Sequence, residues 1–202
     1  MNKQNIFYGY QPTPFGNSFI AWTEQKAICC FYFLKDKDNE RIDFEKLKKE
    51  FAFDNVEFTE NSIQSKKIID QIFDLKNTPR YNFFACAQKS LGVSADGQCS
   101  TSNSQINSDL QFFLKDTNFQ MKVWQALLKI PFGTTVSYKD LAISMGKPKA
   151  VRAVANAIAK NKLAFVIPCH RVISSSGKIG GYRWDVSRKQ KILDWEASLK
   201  TL

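Results

Sequence analysis

Histidine is nearly missing from this sequence: 202 residues contain one, His170. Cysteine is sparse as well. The five cysteines, at positions 29, 30, 86, 99 and 169, include no Cys-x-x-Cys pair. An odd count without such a pair argues against a disulfide framework and against a zinc ribbon. Adjacent Cys29 and Cys30 lie in an apolar run, Ala27-Ile28-Cys29-Cys30-Phe31-Tyr32-Phe33. On a strand they point to opposite faces, and at least one is expected to be a small core residue. No run of about 18 apolar residues occurs, so no transmembrane helix is expected. The first residues, MNKQNIFYGYQPTP, lack a basic region followed by an apolar stretch and a small-residue cleavage site. No secretory signal is expected there, and the expected location is inside a cell, cytoplasmic, or nuclear in a eukaryote. Hydrophobic residues reach 44%, with 17 Phe, so a packed core rich in aromatic rings is available. The length suits one medium domain or two small ones.

Acidic residues are scarce in one part of the chain only. Residues 1–118 hold 14 Lys and Arg against 15 Asp and Glu, while residues 119–202 hold 15 against 4. The second segment therefore carries net +11 and the first −1, giving the formal +10 of the whole. The basic segment has apolar periodicity, which reads as a folded basic surface whose natural partner is a polyanion, most simply nucleic acid. A merely soluble basic domain is the plainer alternative.

Residues 5–10, 18–23 and 27–34 read as three strands of a meander, with turn formers over 11–17 and a charged loop over 36–41. Helical spacing of apolar residues marks 43–51, with Asp43 as N-cap, and 62–75. Residues 88–108, QKSLGVSADGQCSTSNSQINS, are too poor in apolar side chains to offset their ordering entropy. They read as a flexible linker or insertion. Residues 109–115 recover a strand-like run. A helix is predicted from Asn118 to the break at Pro131-Phe132-Gly133. A second starts at Ser137-Tyr138-Lys139-Asp140, a helix-start signature, and stops at Gly146-Lys147-Pro148. A third runs from about Lys149 to Lys160. The last two form a helix-turn-helix candidate.

The third helix places Ala150, Ala153 and Ala157 on one face. Such a face permits close approach, either to another helix in a core or to a nucleic-acid groove. Arg152 lies beside it, able to cap phosphates or to insert into a base stack. Val151, Val154 and Ile158 suit the core side.

The most informative stretch is Leu163-Ala164-Phe165-Val166-Ile167-Pro168-Cys169-His170-Arg171-Val172-Ile173. It sets the only histidine directly after a cysteine in an apolar, strand-like run. Thiolate is the reactive form, and a free thiol with pKa about 8.5 is mostly protonated at neutral pH. A neighbouring imidazole can take that proton, and Arg171 with the surrounding positive charge favours thiolate. Adjacent side chains on a strand diverge, so the imidazole would reach the sulfur through water. An inert buried thiol beside a structural histidine fits the same residues.

Pro168-Cys169-His170-Arg171-Val172 resembles the signature of the O6-alkylguanine-DNA alkyltransferases, the methylated-DNA–protein-cysteine methyltransferases. The similarity extends in order and spacing to Phe119-Gln120-Met121-Lys122-Val123-Trp124, Thr135-Val136-Ser137-Tyr138, Gly146-Lys147-Pro148-Lys149-Ala150-Val151-Arg152-Ala153-Val154, Asn161-Lys162-Leu163 and Gly181-Tyr182-Arg183-Trp184. Bacterial-type members are the most similar. The resemblance implies that Cys169 is nucleophile and permanent alkyl acceptor. His170 is then its base through water, and Glu196 orients the imidazole in a Cys-His-Glu relay. Asn161 braces the active-site turn. Tyr138 donates a proton to the departing guanine oxygen or holds its phosphate. Arg152 replaces a flipped base, and Ala150, Ala153, Lys149 and Tyr138 meet the DNA. Tyr182, Val172 and Trp184 line the guanine pocket.

The implied reaction is irreversible, single-turnover transfer of a methyl or small alkyl group from O6-alkylguanine, and from O4-alkylthymine, in double-stranded DNA. It needs no metal, no organic cofactor and no membrane, and the protein acts as a monomer. The implied fold is α+β. Residues 1–87 form a small ribonuclease-H-like domain with a three-stranded antiparallel sheet, 88–108 the flexible Ser/Asn-rich segment, and 109–202 a mainly helical DNA-binding alkyltransferase domain with a winged-helix-like helix-turn-helix. Residues 1–118 contain no histidine, so the zinc site of human-type members is not expected. Ala164 and bulky Trp184 argue against large alkyl groups. Three rival readings remain: a non-enzymatic lesion sensor, in which another residue replaces the nucleophile; a helix-turn-helix regulator, which needs no Cys-His pair; and a thiol hydrolase, which turns over.

Overall fold

The computed structural model describes residues 4–34, 44–45, 48–49, 56–73, 111–112 and 116–200. The chain divides into two compact units, Met1–Leu114 and Lys115–Leu202. Both α-helices and β-strands occur, an α+β arrangement. Among the described residues no helix is long and apolar enough to cross a membrane.

In the first unit, β1 (Gln4–Thr13), β2 (Gly16–Thr23) and β3 (Ala27–Phe33) form the expected antiparallel meander. The first two strands reach further than the sequence suggests because the turn is tight. Pro14 and Phe15 alone link them, with Gly16 at φ 111° and the Thr13 hydroxyl accepting from Phe15 N at 3.1 Å. The sheet has five strands rather than three. β4 (Val56–Glu60) lies parallel to β1 and β5 (Gln111–Phe112) parallel to β3, giving the order β4-β1-β2-β3-β5. β4 escaped the sequence reading because it is a half-exposed edge strand with little apolar alternation. β5 belongs with this sheet, so the strand-like run after residue 109 falls in the first unit, not the second.

β3 is buried on both faces, which accounts for its unbroken apolar run, and both Cys29 and Cys30 are core residues. Helix α1 (Ser62–Phe73) buries Ile68, Ile69 and Ile72. It comes so close to β1 that a Cβ at Gly9 would collide with the Ser65 side chain. Of the helix expected over 43–51, residues 44–45 and 48–49 are described and are helical. The segment 88–108 lies outside the described residues.

The second unit is built on three helices and a long C-terminal one. Helix α2 (Asn118–Leu128) opens with a capping box from Thr117 and Gln120, which satisfies two otherwise unpaired backbone donors. It buries Val123, Trp124 and Leu127, each side chain contributing about 1.5–3 kcal/mol. Helix α3 (Tyr138–Ser144) is capped by Ser137, whose hydroxyl accepts from Asp140 N at 3.0 Å, as its start signature predicts. Gly146, at φ 69°, makes the turn into α4 (Val151–Ala159). Helix α4 starts two residues later than expected because Lys149 and Ala150 still belong to that turn, with Ala150 N bonded to Lys147 O. The Trp124 indole donates to Ala157 O at 2.9 Å, locking α2 to α4. Two short parallel strands, β6 (Val136–Ser137) and β7 (Val172–Ile173), join the start of α3 to the chemical centre. Helix α5 (Val186–Lys200) closes the unit.

Candidate active site

The apolar run 163–173 is not a strand. It folds as a compact turn over 164–166 and then a 3-10 turn at Cys169–Arg171 that leads into β7. The apolar content reflects burial: every residue from Leu163 to Val172 is buried. Successive side chains on a 3-10 turn are about 120° apart, so Cys169 and His170 diverge here as they would on a strand.

Asn161 organises this turn. It is fully buried, and its amide nitrogen donates to Leu163 O, Ile167 O and the Cys169 sulfur, each at 3.1 Å, while its oxygen accepts from Leu163 N at 2.9 Å. One side chain thereby ties the end of α4, the turn and the thiol together. Cys169 itself is 3% exposed. Burial pushes its thiol pKa up; the Asn161 hydrogen bond and the Lys189 charge pull in the other direction. The Tyr182 hydroxyl also favours thiolate, although it lacks the geometry of a full hydrogen bond. Burial raises the pKa of both Tyr138 and Tyr182, and a Cys169 thiolate raises each further. Both phenols therefore keep their protons near the sulfur.

The expectation that Arg171 serves the sulfur is overturned. Its guanidinium is bound to Glu196 instead, from Nε at 3.1 and 3.0 Å and from Nη2 at 2.8 Å, and Nη1 reaches Ile130 O at 2.7 Å. The cation near the sulfur is Lys189, fully buried on α5, with Nζ donating to Val172 O at 2.6 Å. Burial lowers the Lys189 pKa and a Cys169 thiolate raises it. Lys189 lies two helical turns before Glu196 and so shares its face. That seven-residue spacing was the signal available in the sequence.

His170 Nε2 lies 2.9 Å from Glu196 Oε1, and both side chains are fully buried. Burial alone would raise the Glu196 carboxyl, but hydrogen bonds from His170 and Arg171 outweigh it and lower the pKa to about 2. A carboxylate only accepts, so Nε2 must carry the proton. Burial lowers the His170 pKa, the Glu196 interaction notwithstanding. Arg171 already supplies one cation for the one carboxylate, so the imidazole need not be charged. Nδ1 is then a bare lone pair, and it is buried without a partner. A neutral imidazole in this tautomer, beside a thiol surrounded by donors, can accept one proton.

The remaining expected residues fall into two groups. Val172 is fully buried, Trp184 nearly so, and Tyr182 packs edge-on against Trp184 with ring centroids 5.3 Å apart. Gly180 lies against Tyr138: a Cβ there would meet the Tyr138 ring and hydroxyl at 3.3 Å. On α4 and its approach, Lys149, Arg152 and Ala153 are exposed and Ala150 half-buried. Ala157 departs from the expected small-residue face, since it is buried with Val154 and Ile158. Among the described residues no group of three or more His, Cys, Asp or Glu side chains is gathered as a metal site.

The family model for the "6-O-methylguanine DNA methyltransferase, DNA binding domain" matches residues 118–198. The chain is 61% identical over 84 residues, 42% of its length, to the Escherichia coli "Bifunctional transcriptional activator/DNA repair enzyme Ada", of which it covers 24%. It is 46% identical over 97 residues, 48% of its length, to the Kluyveromyces lactis "Methylated-DNA--protein-cysteine methyltransferase", of which it covers 51%. The chain thus spans about half or less of these curated relatives. Among solved structures, Mycobacterium tuberculosis O6-methylguanine methyltransferase is similar at 27% identity with a TM-score of 0.64, over 96% of this chain and 93% of that one. The Pyrococcus kodakaraensis enzyme, at 18% identity and a TM-score of 0.59 over 95% of this chain and 98% of that one, shares the fold.

Within residues 118–198, the sequence reading missed Lys189, the structural use of Arg171, and the part played by Arg183. The Arg183 Nη1 donates to Asn161 O at 3.0 Å, and Arg188 Nη1 to Trp184 O at 2.9 Å. Two guanidiniums therefore hold the loop that carries Tyr182 and Trp184. Arg183 stood in the Gly181-Tyr182-Arg183-Trp184 stretch without a role of its own, and Arg188, in the first turn of α5, reads as solvated surface.

Proposed function

We propose that this protein repairs DNA by direct reversal, transferring a methyl or other small alkyl group from O6 of guanine to Cys169, once per molecule. The observation that carries the reading is the relay itself. Glu196 fixes His170 with Nε2 protonated and Nδ1 bare, next in the chain to a thiol that Asn161 holds. The Cys169 proton passes to His170 Nδ1 through water. The sulfur then attacks the alkyl carbon, forming an S–C bond as the C–O6 bond breaks, and the electron pair leaves with guanine. Tyr138 meets the developing charge on guanine as proton donor, or holds the adjoining phosphate. The thioether is stable and no group regenerates the thiol. The same chemistry extends to O4-alkylthymine.

The damaged base has to leave the duplex to reach a buried sulfur. Exposed Arg152 at the front of α4 is the side chain we assign to its vacated place, with Ala150 and Ala153 permitting close approach and Lys149 meeting phosphate. Tyr182, Val172 and Trp184 form the base pocket. Trp184 and Ala164 limit it to small alkyl groups. We also read the first unit as ribonuclease-H-like, supported by its antiparallel meander with β4 parallel beside β1. The second reads as winged-helix-like, supported by α3, α4 and the β6–β7 pair.

The test is mass spectrometry after mixing with duplex DNA carrying O6-methylguanine. The expected result is one added methyl on the peptide containing Cys169, in stoichiometric yield. Repeated turnover indicates a hydrolase, and DNA binding with no added mass indicates a lesion sensor.

A further inference from the structure

We infer that Phe165 is a positioning residue that fixes the plane of the His170 imidazole; this rests on the methyl-transfer reading above. Phe165 sits at φ 62° in the turn before Cys169, in the left-handed region that L side chains rarely adopt. Glycine would take that position without strain. The turn is held from outside: Asn161 grips Leu163 O and Ile167 O, and Ile167 N bonds back to Leu163 O at 3.0 Å. A strained conformation that its surroundings enforce at a chemical centre calls for a use.

The ring supplies one. Phe165 is buried and lies nearly parallel to His170, with centroids 5.8 Å apart and planes at 12°. Phe165 also lies against Trp195, at 5.9 Å and 57°. Trp195 meets Phe132 edge-on at 5.8 Å, and Phe132 lies under the Arg171 guanidinium at 5.5 Å. The His170–Glu196–Arg171 chain is thus bordered by three aromatic rings. His170 has a single polar anchor in the described structure, the Nε2 contact with Glu196. One hydrogen bond fixes a point and leaves the ring free to turn about it. A flat face alongside removes that freedom and so sets where the Nδ1 lone pair points. It also keeps water off one side of the imidazole, where it would compete for the proton.

The experiment is a double-mutant cycle on the full chain, combining Phe165→Leu, which keeps bulk and loses the flat face, with His170→Gln. Phe165→Gly, which relieves the backbone, is the second variant. The readout is the rate of Cys169 alkylation by iodoacetamide from pH 5 to 10, followed by mass spectrometry, with circular dichroism as the folding check. With His170 present, either Phe165 variant is expected to react at least about tenfold slower near neutral pH, a fraction of the 10²–10⁴ a positioned base supplies, with its profile shifted to higher pH. With His170→Gln, changing Phe165 is expected to alter the rate no further. Equal losses with and without His170, an unshifted pH profile, or loss of the fold in both Phe165 variants overturns the inference, since each makes the ring a packing element only. The reagent requires no DNA. A parent protein that takes no methyl from alkylated DNA therefore sinks the functional reading while the cycle still decides Phe165.

Discussion

Replacing Glu196 by glutamine tests the relay and the fold around it at once. The fully buried carboxylate accepts from Arg171 Nε and Nη2, from His170 Nε2 and from Gly133 N at 3.1 Å. Removing its charge leaves Arg171, 6% exposed, as an uncompensated buried cation. Breaking one partner of a buried pair costs about 3–5 kcal/mol, a large part of a stability that is about 5–15 kcal/mol in total. Urea unfolding followed by the fluorescence of Trp124, Trp184 and Trp195 should record a loss of that order. Transfer should suffer separately. An amide can donate as well as accept, so it no longer compels Nε2 to hold the proton, and the loss of a correctly poised base is worth 10²–10⁴ in rate.

The double variant Glu196→Gln with Arg171→Met separates the two effects. Removing both charges relieves the unpaired cation, and stability should return to within about 1–2 kcal/mol of the parent. The imidazole remains unoriented, so single-turnover transfer from O6-methylguanine DNA should stay slow. A double variant that regains both stability and transfer refutes the reasoning, because Glu196 would then matter only as a counter-ion to Arg171. A single variant as stable as the parent refutes it from the other side.

Acid should destabilise the protein in two windows. Burial lowers the His170 pKa, so the unfolded chain takes up that proton first and stability falls as pH drops below about 6.5. Glu196, lowered from 4.5 to about 2, adds about 3 kcal/mol that is present above pH 4.5 and lost between there and pH 2; a urea midpoint that stays level from pH 8 to 4 contradicts the first window. Gly180→Ala should slow methyl transfer several-fold by pressing on the Tyr138 ring, with DNA binding and thermal stability unchanged; parental transfer rates tell against a working contact between Tyr138 and the base. Arg152→Ala should weaken duplex binding, measured by anisotropy, more than Lys122→Ala does, since both side chains are exposed but only Arg152 is assigned to the base stack; equal losses reduce Arg152 to a phosphate contact.

Legibility differed between the two halves for physical reasons. Helix starts carry local chemistry, so Ser137 with Asp140 marked α3 to the residue. The antiparallel meander could be read because its turns are short and its strands alternate with turn formers. β4 could not, since it has no strong pattern of its own; β5 lay in the run read as strand-like over 109–115, but its parallel pairing with β3 joins segments far apart in sequence and left no local signal. At the chemical centre, Cys169 and His170 were named from residue order, Glu196 and Asn161 from the family resemblance, and Asn161 bonds Cys169 while Glu196 bonds His170. The backbone there was misread as a strand because a buried turn is as apolar as a buried strand. The role of Arg171 was misread because sequence adjacency to Cys169 suggested spatial service to it, whereas a 3-10 turn sends the next side chain but one elsewhere.

That misreading bears on how the thiol is kept. Had Arg171 faced the sulfur, the resting state would be an exposed-charge nucleophile, open to any electrophile. Instead, Arg171 neutralises Glu196, burial pushes the Cys169 thiol up, and burial pushes the imidazole down. The resting pair is thus neutral on both members. Moving one proton from sulfur to nitrogen creates two charges together, thiolate and imidazolium, and each has a partner already in place. Asn161 and Lys189 favour the first, and Glu196 favours the second. An arrangement that stores no charge until a proton moves suits the single-use acceptor proposed for Cys169: a thiol spent on a stray alkylating agent would leave a lesion unrepaired.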